Sequence, residues 1–173
     1  PTENVPWNRD IAGRGWSSPV VWGNRVFLTT AINEGKAKEP KKGLYFGGNQ
    51  YKPSEYVHQW KVICLNLEDG KVLWEKLARK GKPQGTIHIK NSYATETPIT
   101  YGERVYAYFG NHGLYCDSVE GKLLWDKQWP ARKTRWGWGL AASPILHQGK
   151  LYVVNDNDEQ SYLVALDAKT GQE

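Results

Sequence analysis

An eleven-residue phrase with glycine seventh and tryptophan eleventh occurs twice in this chain and begins a third time. Residues 64–74 read CLNLEDGKVLW, residues 115–125 read YCDSVEGKLLW, and residues 165–173 read ALDAKTGQE. Aligned on Gly70, Gly121 and Gly171, the copies carry Asn66, Asp117 and Asp167 third, with Trp74 and Trp125 at the end. The glycines lie 51 and 50 residues apart, a period that belongs to stacked supersecondary units, none of which can bury its apolar face alone. A fold built on this pattern must therefore be repetitive.

A second phrase precedes each of these. SPVVWGNRVFLTT starts at Ser18, TPITYGERVYAYF at Thr97 and SPILHQGKLYVVN at Ser143. Each reads as two strands joined by a tight turn, with Gly23-Asn24, Gly102-Glu103 and Gln148-Gly149 at the bends. Pro19, Pro98 and Pro144 enter the first strand, where a missing N–H is tolerated. With the strands HQWKVICLNL and VLWEKL, and then GLYCDSV and LLWDKQW, each unit becomes a four-stranded antiparallel meander.

The strands are not simply alternating. Val26-Phe27-Leu28, Val62-Ile63-Cys64-Leu65 and Leu151-Tyr152-Val153-Val154 are apolar on both faces, as in a sheet covered on both sides. A β-propeller provides that cover, because each blade is sandwiched between two others. Trp74 and Trp125, two of nine tryptophans, recur at one fixed place and are expected to fill the wedge between blades. The expected fold is all-β, a β-propeller of four-stranded antiparallel blades. Blade one spans 17–78 with an insertion at 32–58, blade two 94–129, and blade three, incomplete, 141–173.

The template A-x-D-x-x-T-G-x-x-x-W resembles the tryptophan-docking repeat of the pyrroloquinoline-quinone-like propellers. Ala165, Asp167, Thr170 and Gly171 match it, whereas the first two copies replace the threonine with Asp69 and Glu120. The opening stretch GRGWSSPVVWGNRVFLTTA is similar to an entry blade of that group. The resemblance implies one of two activities: a quinoprotein dehydrogenase, or a non-enzymatic lipoprotein propeller of outer-membrane assembly. It also implies the periplasm or cell surface of a bacterium. Since such rings close with seven or eight blades, about three blades imply association with the remaining blades of a longer propeller or with other copies of the chain. Trp7 then reads as the last position of an upstream phrase.

No run approaches the ~18 apolar residues of a membrane-spanning helix, and mean hydropathy is -0.67. Cys64 and Cys116 fall at the first and second positions of their phrases, so they are expected on opposite faces of their strands, as buried free thiols.

Loops and charge carry the functional signal. In a four-stranded meander the connections between strands two and three, and those onward to the next blade, emerge at one end. Segments 32–58, 79–94 and 130–139 therefore share a face, and loops carry function more often than their scaffold does. They hold +9 of charge in a chain of net +5, leaving -4 for the rest. Such a face attracts anionic partners. Its candidate binding residues are Lys80, Lys82, Lys90, Arg132, Lys133, Arg135, Trp136, Trp138, Tyr51 and Tyr93. A protein or an acidic polysaccharide fits this mixture of cations and rings. Nucleic acid is disfavoured by the implied compartment, since basic-aromatic mixtures are generic.

Catalytic motifs are sparse. His58, His88, His112 and His147 have no metal-ligand spacing, and the run NDNDE at 155–159 lacks the glycine and distal glutamate of a calcium loop. The expected function is a non-catalytic binding or scaffold propeller without cofactor. The alternative is a fragment of a quinone- and calcium-dependent dehydrogenase acting on alcohols or sugars. Glu96, Asn111 and Asp156 are its candidate cofactor and cation residues.

Overall fold

The computed structural model describes residues 4–36 and 52–173. Their strands form three antiparallel sheets in consecutive order. The first holds β1 (Val20–Trp22), β2 (Arg25–Asn33), β3 (His58–Asn66) and β4 (Val72–Gly81). The second holds β5 (Ile99–Tyr101), β6 (Arg104–Tyr108), β7 (Leu114–Ser118) and β8 (Leu123–Lys127). The third holds β9 (Ile145–His147), β10 (Lys150–Asn155) and β11 (Tyr162–Asp167). These are propeller blades, and they follow from the turn chemistry. Gly23 and Gly102 take φ of 58° and 60° in their hairpins, as a turn with glycine at its first central position requires. In the third hairpin both Gln148 and Gly149 have positive φ, 47° and 75°, the signature of a type I′ turn.

Burial on both sheet faces is observed directly. Phe27 packs into a cluster with Trp60, Val62 and Cys64 of sheet one and Val105, Ala107 and Val119 of sheet two. Its neighbour Val26 points the other way, into a cluster with Ile63, Leu65 and Trp7. A third cluster joins Tyr106, Tyr108, Leu114 and Cys116 to Leu151, Val153 and Leu166 of sheet three. On the far side of sheet three, Ile145, Val154 and Leu163 stand exposed.

Two repeated devices lock one blade to the next. The Trp74 indole Nε1 donates to the Val119 carbonyl at 2.9 Å, Trp125 to Ala168 at 3.3 Å, and Trp7 to Leu67 at 2.9 Å. Each ring lies flat on the glycine of the following phrase. A Cβ built on Gly121, Gly171 or Gly70 would approach the docked ring to 2.8, 2.7 or 2.4 Å, and all three glycines have positive φ. Trp7 thus docks on Gly70 as Trp74 docks on Gly121. The second device lies before the prolines. Ser18 N–H donates to Thr97 Oγ1 at 3.1 Å, and Thr97 N–H to Ser143 Oγ at 2.9 Å.

The structure corrects one alignment. Asn66 Oδ1 accepts N–H bonds from Glu68 and Asp69, and Asp167 Oδ1 from Lys169 and Thr170. In the second copy that role belongs to Ser118, whose Oγ takes the N–H groups of Glu120 and Lys122. Ser118 faces Arg104 across the ladder, as Asn66 faces Arg25 and Asp167 faces Lys150. The second turn is one residue shorter, so counting back from its glycine lands one position early. Cys64 and Cys116 are consequently equivalent: they face Trp74 and Trp125 across their ladders, and each points toward the following blade. The expected opposite orientation does not hold. Both are buried free thiols.

The same shift places Asp117 inside the sheet, opposite Val105 and 1% exposed. Its Oδ1 has no partner. Burial pushes this carboxyl up to about 6, against the opposing pull of the Lys76 charge. A raised folded pKa means that stability present below the ordinary carboxylate value is lost as pH rises through about 6. Asp117→Asn is therefore expected to stabilise the protein by about 1–2 kcal/mol at pH 8. Thermal melts should show that gain shrinking below pH 4, and equal melting at pH 8 would contradict the assignment.

Candidate functional site

The connections at one end of the sheets are bonded into a continuous surface. Its keystone is the 3-10 turn Gly110–His112 between β6 and β7, where positive φ at Gly110 and Gly113 reverses the chain tightly. Asn111 Nδ2 donates to the Gln84 carbonyl at 3.1 Å and the Arg132 carbonyl at 2.9 Å, while its Oδ1 accepts the Arg132 N–H at 3.1 Å. One amide thus holds both segments 79–94 and 130–139. His112 adds a second tie: its Nε2 accepts the Gln84 N–H at 2.9 Å and its Nδ1 donates to the Phe109 carbonyl at 3.1 Å. This pattern requires the neutral ring, and burial pushes its pKa down to about 4.

Beneath this turn lies an aromatic cluster. Trp60 stacks on His112 at 4.2 Å, and Tyr93 meets His58 and His112 edge-on at 5.1 and 5.5 Å. Trp60 Nε1 donates to the Tyr93 carbonyl, and the Tyr93 hydroxyl to the Gly85 carbonyl. Tyr93 is therefore a packing residue under the loops rather than a ring presented on them. His58 is buried too, with its pKa lowered by desolvation.

The two loops also bond to each other. Thr86 Oγ1 donates to the Gly137 carbonyl at 2.6 Å, and His88 N–H to the Trp138 carbonyl at 3.1 Å. Trp138 meets the His88 ring edge-on at 5.2 Å, so it too serves packing. Trp136 differs: it is 42% exposed and takes φ 58° and ψ 10°.

The cations divide in the same way. Lys80 is paired with Glu34 at 2.7 Å and Arg132 with Glu159 at 3.4 Å. Lys82, Lys90, Lys133 and Arg135 stand exposed on the loops. Tyr51 lies outside the described residues.

Glu96 and Asn111 line one cavity of about 20 Å³ with Ser92, His112 and Leu140. That is room for one water, far below the several hundred cubic ångströms (~300) of a cofactor pocket. Asn111 has its amide committed to backbone, and Asp156 does not line the cavity: it is exposed in a turn bonded to the 130–139 loop through Asp158 N–H and the Lys133 carbonyl at 3.0 Å, and its Oδ1 accepts from Ser161 at 2.8 Å. These three residues do not fit a quinone with its cation. Burial pushes Glu96 up to about 8, so at neutral pH it is largely an uncharged acid. The run 155–159 is a polar turn: Asn157 Oδ1 accepts the N–H groups of Glu159 and Gln160. His147 is exposed in its hairpin. Among the described residues no three His, Cys, Asp or Glu side chains group as a metal site.

The load-sharing role of Asn111 and His112 was missed in the sequence, although two glycines bracketing Asn-His mark an unusual turn.

Comparison with known proteins supports the architecture. Europium-containing methanol dehydrogenase superposes with a TM-score of 0.54 at 14% identity, over 89% of this chain and 23% of its own. Quinohemoprotein alcohol dehydrogenase ADHIIG from Pseudomonas putida HK5 gives 0.55 at 18%, over 95% and 20%. The quinohemoprotein alcohol dehydrogenase of Comamonas testosteroni gives 0.50 at 17%, over 84% and 22%. This chain spans under a quarter of each, and the likeness is one of fold. No curated protein matches the chain at a significant level. A family model described as outer membrane protein assembly factor BamB matches residues 1–173. With its docked tryptophans and serially stacked blades, the chain belongs to that pyrroloquinoline-quinone-like propeller family.

Proposed function

We propose that the chain is part of a non-catalytic propeller whose loop face docks an acidic macromolecule at the surface or in the periplasm of a bacterium. The observation that carries this reading is the cross-bonded pair of loops displaying Lys82, Lys90, Lys133 and Arg135 exposed on one surface. A pre-ordered surface loses little entropy on binding, and its charge steers an anionic partner. The family's assembly-factor description is consistent with a docking role. No helix of the described residues is long and apolar enough to cross a membrane. The exposed Ile145, Val154 and Leu163 face of sheet three is where another blade is expected to pack, from the same propeller or a second copy.

Reversing the four exposed cations to glutamate should weaken binding of an anionic polymer such as poly-glutamate by about a hundredfold or more at 50 mM salt. Wild-type binding should fall steeply with added salt. Reversing Lys80 and Arg132 instead should do less than reversing Lys82, Lys133 and Arg135, because those two lie in ion pairs with Glu34 and Glu159. Undiminished binding by the quadruple variant, measured by titration calorimetry, would sink the basic-face reading.

A further inference from the structure

Trp136 is held in a backbone conformation that bulky residues avoid. Its φ of 58° and ψ of 10° lie in the left-handed region, which a glycine would occupy without strain. The side chain is 42% exposed. The surrounding turn over-determines the conformation: Gly137 N–H donates to the Thr134 carbonyl at 2.8 Å, and Gly139 N–H to Thr134 Oγ1 at 2.8 Å. Thr86 ties the same turn to the neighbouring loop through Gly137. The guanidinium of Arg135 lies 5.8 Å from the Trp136 ring centroid. A strained, rigidly mounted, half-exposed indole with a cation beside it is a preformed recognition tip.

We propose that the Arg135–Trp136 tip recognises a carboxylated sugar ring of an acidic polysaccharide. The inference rests on the basic-face reading above and names the partner's chemistry. A sugar ring offers a flat C–H face that stacks on an indole, and a uronate adds one carboxylate at the ring's rim. That pairing of flat apolar face and fixed anion matches an indole with an adjacent guanidinium. Lys133 on the same loop and Lys82 on the tied loop supply positive charge for the next carboxylates of a repeating chain. An acidic polypeptide carries its carboxylates on flexible side chains and has no flat ring for the indole, so it needs the charge but not Trp136.

The test is binding of polygalacturonate, dextran and poly-glutamate, read by tryptophan fluorescence and calorimetry. Polygalacturonate should bind and dextran should not. Trp136→Gly removes the ring at a position glycine occupies freely, so it should cut polygalacturonate affinity about tenfold or more and leave poly-glutamate binding unchanged. Arg135→Gln, an exposed change with no burden on folding, should weaken both. Equal loss of both polymers in Trp136→Gly would overturn the inference, as would failure of polygalacturonate to bind. If poly-glutamate alone binds, the basic face stands and the sugar tip falls. If neither polymer binds, both readings fall.

Discussion

Trp74→Ala is expected to lower the unfolding free energy by about 3 kcal/mol, the lower end for removing a large aromatic, since the ring is only half-buried. The loss has two parts. The ring leaves a wedge lined by Phe27 and Gly121, and the Val119 carbonyl loses the indole N–H that reaches it at 2.9 Å. Gly121→Val should cost at least as much by the opposite route: its Cβ would intrude to 2.8 Å of the Trp74 ring at a φ of +87°. Combining the two should not add, because both break one contact. Trp22→Ala, removing a ring 44% exposed beside Tyr101, should cost under about 1 kcal/mol. Denaturant titrations of the four variants separate docking tryptophans from those on the surface. A Trp74→Ala loss no larger than that of Trp22→Ala would contradict the docking role.

Glu96→Gln is expected to make the protein more stable by about 4 kcal/mol at pH 9 and to change little at pH 4. Glu96 is 3% exposed, and burial lifts its carboxyl to about 8 from 4.5 even though the N–H groups of Glu96 and Thr95 favour the charged form. With the folded pKa raised, the stability it allows is complete below pH 4.5. That stability is lost as pH climbs through about 8. Glutamine fills the same space without a charge to desolvate. Melting curves across this range should diverge between wild type and variant, and parallel curves would show that Glu96 ionises freely. The positions equivalent to Glu96 in the other blades carry no such group: Ser17 stands before Ser18-Pro19, its hydroxyl 2.8 Å from that of Thr29, and Ala142 stands before Ser143-Pro144.

The fold was legible because its signals are local and repeated. Gly23, Gly102 and Gly149 mark the hairpins, and the recurrent Gly-x-x-x-Trp spacing marks the blade junctions. Even the docking of Trp7 followed from its place in a phrase. The register of Asp117 was not legible, because a turn shortened by one residue leaves the glycine and tryptophan spacing unchanged while moving the turn-capping group to Ser118. The hydroxyls before the prolines looked merely small, since their partners lie 79 and 46 residues away. At the loop face, charge was visible but pairing was not. Glu34 and Glu159 neutralise Lys80 and Arg132 only once the loops are folded together. Aromatic identity likewise did not reveal that Tyr93 and Trp138 face inward while Trp136 is presented.

The most direct test of the account is amide hydrogen exchange on the protein with and without a saturating anionic polymer, poly-glutamate or polygalacturonate. Protection is expected across residues 82–92 and 130–139, with the hairpins at Gly23, Gly102 and Gly149 unchanged. Protection confined to those hairpins, or absent from the loops while the polymer is bound, would contradict it.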